Sequence, residues 1–237
     1  MSNLHSKVRM TKNAWMIKSH KIAFLFRNQD MEGVNVTMVK EKLPPNWQPT
    51  GLVQKAFNLA AERHSKQTRK GGQIPYLSHL MAVSALVTEN SGSEVQAAAA
   101  LLHDVIEDTP TQESELTEIM GPEVNAIVVA CSSKRFGDPK EDPWATKDRY
   151  LKNLEAKLPD DPSLLVTLAD KLHNAQSCVN EYPTDPVERA EYWQKFNAGY
   201  ELQKHWYTSL YQGLNSKGTL PVPLMSRFKT AIDILFN

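Results

Sequence analysis

The sequence has little cysteine and no long apolar segment. Among its 237 residues only Cys131 and Cys178 are cysteines, and neither belongs to a C-x-x-C pair. We therefore expect no disulfide framework and no thiolate zinc site, which fits a reducing compartment such as the cytoplasm. No run of about 18 apolar residues is present, and the first residues lack the apolar core and cleavage site of a secretory signal, so we expect no membrane partner.

Charge is balanced, and several recognisable patterns are missing. Lys plus Arg and Asp plus Glu both number 27, so net charge gives no indication of nucleic acid as the main partner. The sequence contains no repeat of fixed period, no Gly-rich phosphate loop and no strand-rich stretch. Apolar residues at helical spacing, separated by capping residues and Pro or Gly, predict a single all-α domain.

The sequence divides into three parts. Residues 1–40 contain seven Lys or Arg residues and two acidic residues. This composition indicates either a targeting or interaction segment or a poorly packed extension upstream of a later start, and we expect the extension. Residues 41–214 should form the folded domain, and residues 215–237 are expected to be a loosely packed tail.

Three predicted helices matter for the site. Ser93 can cap a helix that continues to Asp108. A second helix, again capped by a serine, should cover residues 164–180, and residues 186–214 are predicted as one long amphipathic helix. The aromatic residues of this last helix are expected in the core and not on a base-stacking platform; they are Trp193, Phe196, Tyr200, Trp206 and Tyr207.

The second half of the helix that begins at Ser93 is unusually rich in ionisable residues. His103, Asp104, Glu107 and Asp108 lie there among apolar residues, although an unpaired buried charge costs several kcal/mol. On a continuous helix His103 shares a face with Glu107, and Asp104 shares one with Asp108. A divalent cation would neutralise this cluster through imidazole and carboxylate ligands.

A metal site needs ligands from other segments, and His79 and Asp170 are the candidates. Both lie at helical positions flanked by apolar residues. A single histidine on a helix is more often a core or surface residue, and Asp170 could instead form a solvated ion pair with Lys171. Helical periodicity leaves open whether these residues meet in space.

Residues 64–174 resemble the HD superfamily, and within it the hydrolase domain of the Rel/SpoT-type alarmone enzymes and small stand-alone alarmone hydrolases. Three ordered blocks carry the resemblance: Arg69-Lys70-Gly71 with Pro75-Tyr76-Leu77-Ser78-His79, Ala99-Ala100-Leu101-Leu102-His103-Asp104-Val105-Ile106-Glu107-Asp108-Thr109, and Leu168-Ala169-Asp170-Lys171-Leu172-His173-Asn174. Leu80 stands where many long members have proline, which indicates the stand-alone subgroup. The resemblance implies a helical HD-domain bundle without the synthetase domain that follows in long members.

The resemblance also implies roles for individual residues. The metal ligands fall on His79, His103, Asp104 and Asp170, and the implied metal is Mn²⁺. The catalytic pair falls on Glu107 and Asp108. The residues that contact the nucleotide fall on Arg69, Lys70, Lys171 and Asn174. Mixed imidazole and carboxylate ligands without thiolate agree with such a metal.

The implied activity is hydrolysis of the 3′-pyrophosphate of guanosine alarmones (ppGpp or pppGpp), with a nucleotide substrate as the partner. One alternative is a related HD phosphohydrolase that acts on ppApp or another nucleotide. A second alternative, from a different class, is a metal-bound regulatory module without catalysis. A third is a nucleic-acid binder that uses residues 1–40, whose binding would depend steeply on salt. The sequence leaves the oligomeric state open.

Overall fold

The computed structural model describes residues 47, 50–70, 72–196 and 199–237, and these form an all-α unit. The predicted N-terminal extension lies outside the described residues. The helices, in chain order, are α1 Leu52–Arg63, α2 Leu77–Glu89, α3 Glu94–Leu102, α4 Val105–Asp108, α5 Glu113–Met120, α6 Pro122–Cys131, α7 Pro143–Ala156, α8 Ser163–Glu181, α9 Pro186–Tyr192, α10 Gly199–Asn215 and α11 Val222–Phe236. Extended pairing within the described part is limited to an isolated bridge between Thr68 and Pro75.

Helix α3 is the central element of the core. Its four consecutive alanines, Ala97 to Ala100, are completely buried, and the helix packs against α1, α2, α6 and α8. Alanine on every side lets neighbouring helices approach closely, and it favours the helix intrinsically. The structure thus confirms the all-α fold class, with α3 at its centre.

The N-terminus of α3 is fixed by capping, as the sequence predicts. The Ser93 hydroxyl accepts a hydrogen bond from the Gln96 backbone N–H, and the Gln96 side chain accepts one from the Ser93 N–H. This capping box satisfies two donors that would otherwise be exposed at the helix end. The preceding Gly92 lies so close to the Val87 side chain that a Cβ there would clash with it.

The predicted continuous helix from Ser93 to Asp108 is wrong. Helix α3 ends at Leu102, and His103 and Asp104 form a turn before the short helix α4. Asp104 and Asp108 are still one helical turn apart, as predicted, because the Asp108 N–H donates to the Asp104 carbonyl at 2.9 Å. The backbone departs from helical angles at Asp104 (φ −103°, ψ 0°), and the Glu107 N–H donates to the Asp104 carbonyl. The expectation that His103 and Glu107 share a face of one continuous helix therefore does not hold.

Helix α8 matches its prediction closely, since it runs over Ser163–Glu181. The expected serine cap does not form, because Ser163 is already helical and Pro162 precedes it as the N-cap residue. Asp161 takes over the capping contacts: its Oδ1 accepts hydrogen bonds from the backbone N–H and the hydroxyl of Ser163 at 2.9 and 2.6 Å. The buried face of α8 carries Asp170 into the interior.

The predicted single helix over residues 186–214 is divided. Helix α9 ends at Tyr192, a 3₁₀ turn follows over Trp193–Lys195, and α10 begins at Gly199. Trp193, Trp206 and Tyr207 are buried, as expected for core residues. The bend lets Trp193 stack on Phe236 of α11, with ring centroids 5.1 Å apart.

The expectation of a loosely packed tail over residues 215–237 is wrong. Helix α11 packs against α8 and buries seven of its side chains, among them the fully buried Phe228. The prolines that suggested a loose tail lie at the start of this helix, where proline is compatible with helical geometry. None of the helices in the described part of the chain is both long and apolar enough to cross a membrane.

Candidate metal centre

Three separate segments bring His79, His103 and Asp170 together. His79 lies in the first turn of α2, His103 in the turn after α3, and Asp170 in the middle of α8. All three are buried, and one ligand atom of each lies within 4.8 Å of the others. Residues that are 91 positions apart in sequence thus form one cluster because α2, α3 and α8 pack on each other.

The imidazole Nε2 atoms and the carboxylate face a common point. His79 Nε2 lies 3.2 Å from Asp170 Oδ1, and His103 Nε2 lies 3.6 Å from the same oxygen. Asp104, which is only partly buried, places its Oδ2 2.9 Å from His103 Nε2 and 3.9 Å from His79 Nε2. All four predicted ligands therefore meet, with Asp104 on the solvent side of the cluster.

The hydrogen bonds around the two histidines leave their Nε2 atoms directed into the cluster. His103 Nδ1 lies 2.8 Å from the Ala100 carbonyl, to which it can only donate, and His79 Nδ1 pairs with His173 Nδ1 at 2.8 Å. Both Nε2 atoms are buried without a hydrogen-bond partner in the described part of the chain. Two buried nitrogen lone pairs beside two carboxylates suit a bound cation, since a buried polar atom otherwise needs a partner.

Electrostatics in the cluster also favour positive charge. Burial alone would lower the pKa of His103, but the Asp104 and Asp170 carboxylates raise it well above its usual value. Burial lowers the pKa of His79. The carboxylates that attract a proton to His103 attract a metal ion in the same way, and the two compete for Nε2. Imidazole nitrogen, carboxylate oxygen and a partly open side therefore fit a divalent metal.

Glu107 is held in place by the loop after α6. Its Oε1 accepts hydrogen bonds from the backbone N–H of Ser133 and, at 3.1 Å, from the Ser133 hydroxyl. Burial raises the pKa of Glu107, and the Asp104 charge contributes in the same direction. A carboxyl group with a raised pKa next to the candidate metal ligands is suited to accepting and releasing a proton during a reaction.

Asp108 is held by a different set of contacts. Gln67 Nε2 donates to Asp108 Oδ2 at 2.7 Å, and Gln67 Oε1 in turn lies 2.6 Å from Nδ1 of the buried His64. These two contacts fix the orientation of the Gln67 amide, because only its carbonyl end can accept from the His64 N–H. Burial, together with Asp104, raises the pKa of Asp108.

The predicted nucleotide-binding residues lie on two sides of the cluster. Arg69 Nη2 donates to Asn174 Oδ1 at 2.8 Å, and Asn174 Nδ2 donates to Asp170 Oδ1 at 2.6 Å. Lys171 Nζ lies 2.7 Å from Asp170 Oδ2. Lys70 is exposed, with its Nζ 5.7 Å from the centroid of the Phe196 ring. The structure thus joins Arg69, Asn174 and Lys171 to Asp170, whereas Lys70 stands outside this network.

Several residues that support the site had no role predicted from the sequence. Tyr76 and His173 lie inside the blocks that carried the family resemblance, so their position there was the available signal. Gln67 lies two residues before Arg69 and could have been considered on that ground. Ser133 carried no signal, because its contact with Glu107 depends on how the loop after α6 folds back.

Comparison with known proteins shows the family. The HD domain family matches residues 56–196, which include every predicted site residue. The chain therefore belongs to the HD domain family, and it is a hydrolase of the HD type related to Rel/SpoT proteins.

The curated relatives are much longer than this chain. A GTP pyrophosphokinase rsh of Brucella ovis is 36% identical over 126 residues, which cover 53% of this chain and 17% of the relative. The bifunctional (p)ppGpp synthase/hydrolase SpoT of Escherichia coli K12 is 34% identical over 128 residues, which cover 53% of this chain and 18% of SpoT. The chain thus spans less than a fifth of these proteins, so their activities are not transferred by the match.

Solved structures match a larger share of the chain. A metazoan orthologue of SpoT that hydrolyses ppGpp has a TM-score of 0.62 and 23% identity, over 78% of this chain and 96% of the orthologue. A protein of Listeria monocytogenes EGD-e has a TM-score of 0.58 and 22% identity, over 70% of this chain and all of that protein. At this identity the two structures show that the fold is shared.

Proposed function

We propose that this protein hydrolyses the 3′-pyrophosphate of guanosine alarmones, converting ppGpp or pppGpp to GDP or GTP and pyrophosphate. The observation that carries the proposal is a pair of anchored carboxylates with raised pKa, Glu107 and Asp108, directly after the His103-Asp104 turn of the metal cluster. The relatives named for ppGpp synthesis and hydrolysis, and the metazoan orthologue, support this choice of substrate.

The proposed metal ligands are His79, His103, Asp104 and Asp170. When bound, a divalent cation supplies positive charge that polarises a phosphate group and activates water. The chain contributes the fixed orientation of its ligands, since His103 is held by the Ala100 carbonyl and His79 by His173. Ligands without thiolate suit Mn²⁺, which stays a prediction, as does a cytoplasmic location.

Glu107 and Asp108 are the proposed proton-transfer groups. In the reaction one water adds across the bond between the 3′-oxygen and phosphorus: its oxygen joins phosphorus, and one proton goes to the departing 3′-oxygen. Glu107, anchored by Ser133, would take the proton from the attacking water. Asp108, held by Gln67, has a raised pKa and would carry or return a proton on the other side.

Arg69, Lys70, Lys171 and Asn174 are the proposed nucleotide contacts. The Arg69 guanidinium lies 5.7 Å from the centroid of the Tyr76 ring, so a planar base could stack beside these groups. Asn174 holds Arg69 close to Asp170, which would keep the base near the metal end of the site. Lys171, next to Asp170, would offset negative charge on the phosphate during reaction.

Product analysis of the purified protein tests the proposal. The protein is incubated with Mn²⁺ and ppGpp, pppGpp or ppApp, and the products are separated by anion-exchange chromatography. We expect GDP or GTP together with pyrophosphate from the guanosine substrates. Turnover of ppApp alone would mean that the substrate is an adenine nucleotide. Metal and nucleotide binding without any turnover would indicate a regulatory module instead.

Asp170→Ala provides the control for metal dependence. Asp170 contacts both histidines of the cluster, so its removal should lower both the metal content and the turnover. Metal is counted by elemental analysis of the purified variant, and turnover is measured in the same preparation. A variant that retains full metal occupancy would contradict the ligand set proposed here.

A further inference from the structure

Two lysines share one indole ring beside the metal centre. Lys147 on α7 places its Nζ 4.0 Å from the centroid of the Trp206 ring, and Lys171 on α8 places its Nζ 5.8 Å from the same centroid. Trp206 is buried, and both lysines are partly buried. Both ammonium groups therefore lie against the same buried indole ring and are partly shielded from solvent.

The two lysines differ in how their charge is balanced. Lys171 pairs with Asp170 Oδ2 at 2.7 Å, whereas no carboxylate in the described part of the chain forms an ion pair with Lys147. The neighbouring Asp148 is directed to His205 instead, with Oδ1 3.5 Å from His205 Nε2. Lys147 thus has the Trp206 ring as its contact and lacks an anionic partner among the described residues.

This arrangement is unfavourable for an ammonium group on its own. Burial, together with the charge of Lys171, lowers the pKa of Lys147 to about 7. The aromatic ring compensates only partly for lost hydration. An anion in contact with the Lys147 ammonium would restore the balance of charge there.

The position of Lys147 indicates which anion would fit. Lys171 contacts the carboxylate of Asp170, whose other oxygen faces His79 and His103. Lys171 thus contacts the metal-binding residues through Asp170, and it faces the same Trp206 ring as Lys147. If the proposed function is correct, the substrate carries two diphosphate groups, and the metal contacts the one at the 3′ position.

We propose that Lys147, together with Lys171, forms a subsite for a diphosphate group next to the metal centre. The diphosphate is either the pyrophosphate leaving group or the 5′-diphosphate of the nucleotide, which share the same recognition chemistry. The Lys147 ammonium donates hydrogen bonds to phosphate oxygens, and Trp206 holds its alkyl chain and charge in place. The inference rests on the proposed function for its substrate, although diphosphate binding is measurable without turnover.

The test measures binding of inorganic pyrophosphate and of GDP by calorimetry on the Mn²⁺-loaded protein. Lys147→Gln should weaken one of the two by about 10- to 100-fold, the loss expected for one charge-assisted hydrogen bond. The affected ligand identifies the source of the diphosphate. Lys147→Met keeps the packing on Trp206 without the charge and should have the same effect, whereas Lys147→Arg should stay within about threefold of wild type.

Lys152→Gln is the matched control, because Lys152 is an exposed residue of the same helix. Its affinities and melting temperature should equal those of wild type. Unchanged affinity for both ligands in Lys147→Gln and Lys147→Met would overturn the subsite. If pyrophosphate binding depends on Lys147 while no alarmone is hydrolysed, the subsite stands and the proposed function fails.

Discussion

The Tyr76 hydroxyl donates a hydrogen bond to Asp104 Oδ2 at 2.5 Å. The same Asp104 oxygen lies 2.9 Å from His103 Nε2, so Tyr76 holds it toward the histidines. Tyr76 is itself fixed by stacking on His64 and by edge contact with His79. Asp104, the one partly exposed residue among the four candidate ligands, is thus oriented by the Tyr76 hydroxyl at the start of α2.

Tyr76→Phe should weaken metal binding while the fold is retained. Loss of a hydrogen bond to a ligating carboxylate commonly costs about 10- to 100-fold in metal affinity or activity. The ring contacts remain, so the melting temperature of the metal-free protein should change little. A competition titration with a metal-binding dye measures the affinity, and an unchanged value would show that the Tyr76 hydroxyl does not support metal binding by Asp104.

Glu107→Gln should separate binding from chemistry. The amide keeps the size of the side chain and its contact with Ser133, but it cannot act as a base. We expect kcat to fall by ~10²–10⁴-fold, with normal metal content and a small change in KM. Single-turnover kinetics and elemental analysis on one preparation check both parts. Wild-type kcat would assign the chemistry to another group.

The fall of kcat at low pH should follow the protonation of Glu107. Only the ionised carboxylate accepts a proton, so kcat falls as the pH falls through the pKa of Glu107. Burial raises this pKa, so the loss of rate should begin above the ordinary value of ~4.3 for glutamate. In Glu107→Gln the residual rate should lack this fall at low pH. Both proteins are measured over the same pH range in buffers of constant ionic strength.

Glu94→Gln should destabilise the fold. The Glu94 carboxylate, on α3, accepts hydrogen bonds from the Thr50 N–H and hydroxyl and from the Leu52 N–H, at 2.9 to 3.1 Å. It therefore satisfies donors at the start of α1, and its loss should cost about 1–3 kcal/mol in the free energy of unfolding. Urea denaturation measures this loss, and Glu89→Gln, at an exposed position, should have no comparable effect.

The contribution of Glu94 should depend on pH in a defined direction. Burial alone would raise the pKa of Glu94, but the hydrogen bonds from Thr50 and the following backbone lower it. A carboxyl group with a lowered pKa in the folded state stabilises above its unfolded pKa of ~4.3 and loses this effect as the pH falls through the folded value. The difference between wild type and Glu94→Gln should therefore be complete at neutral pH and shrink in acid.

Phe228→Ala tests whether α11 is part of the core. Phe228 is fully buried and lies edge-on to Tyr207, with ring centroids 6.2 Å apart. Its removal should lower the free energy of unfolding by about 3–5 kcal/mol. Ile234→Ala on the same helix is the control, because this side chain is half exposed. Equal effects of the two changes on the melting temperature would mean that α11 does not pack as described.

The sequence identified the site through its blocks of ionisable residues in apolar surroundings. The helix cap at Ser93 could also be predicted from the sequence, since it depends on residues three positions apart. The break after His103 could not be predicted, because the apolar spacing continues through Val105 and Ile106 as it would in one helix. At the turn the Asp104 backbone departs from helical angles, and His103 Nδ1 donates to the Ala100 carbonyl, which directs Nε2 toward Asp104 and Asp170.

By itself the sequence determined the helical class, the centre of the site and its chemical type, because these follow from local periodicity and from which side chains can bind a metal. Only the tertiary structure decided that His79 and Asp170 meet His103, that Ser133 and Gln67 hold the two acidic groups, and that the last helix belongs to the core. The physical reason is that these contacts depend on how α2, α3 and α8 pack and on where loops return. The spacing of residues along one helix does not determine the distances between segments that are far apart in sequence.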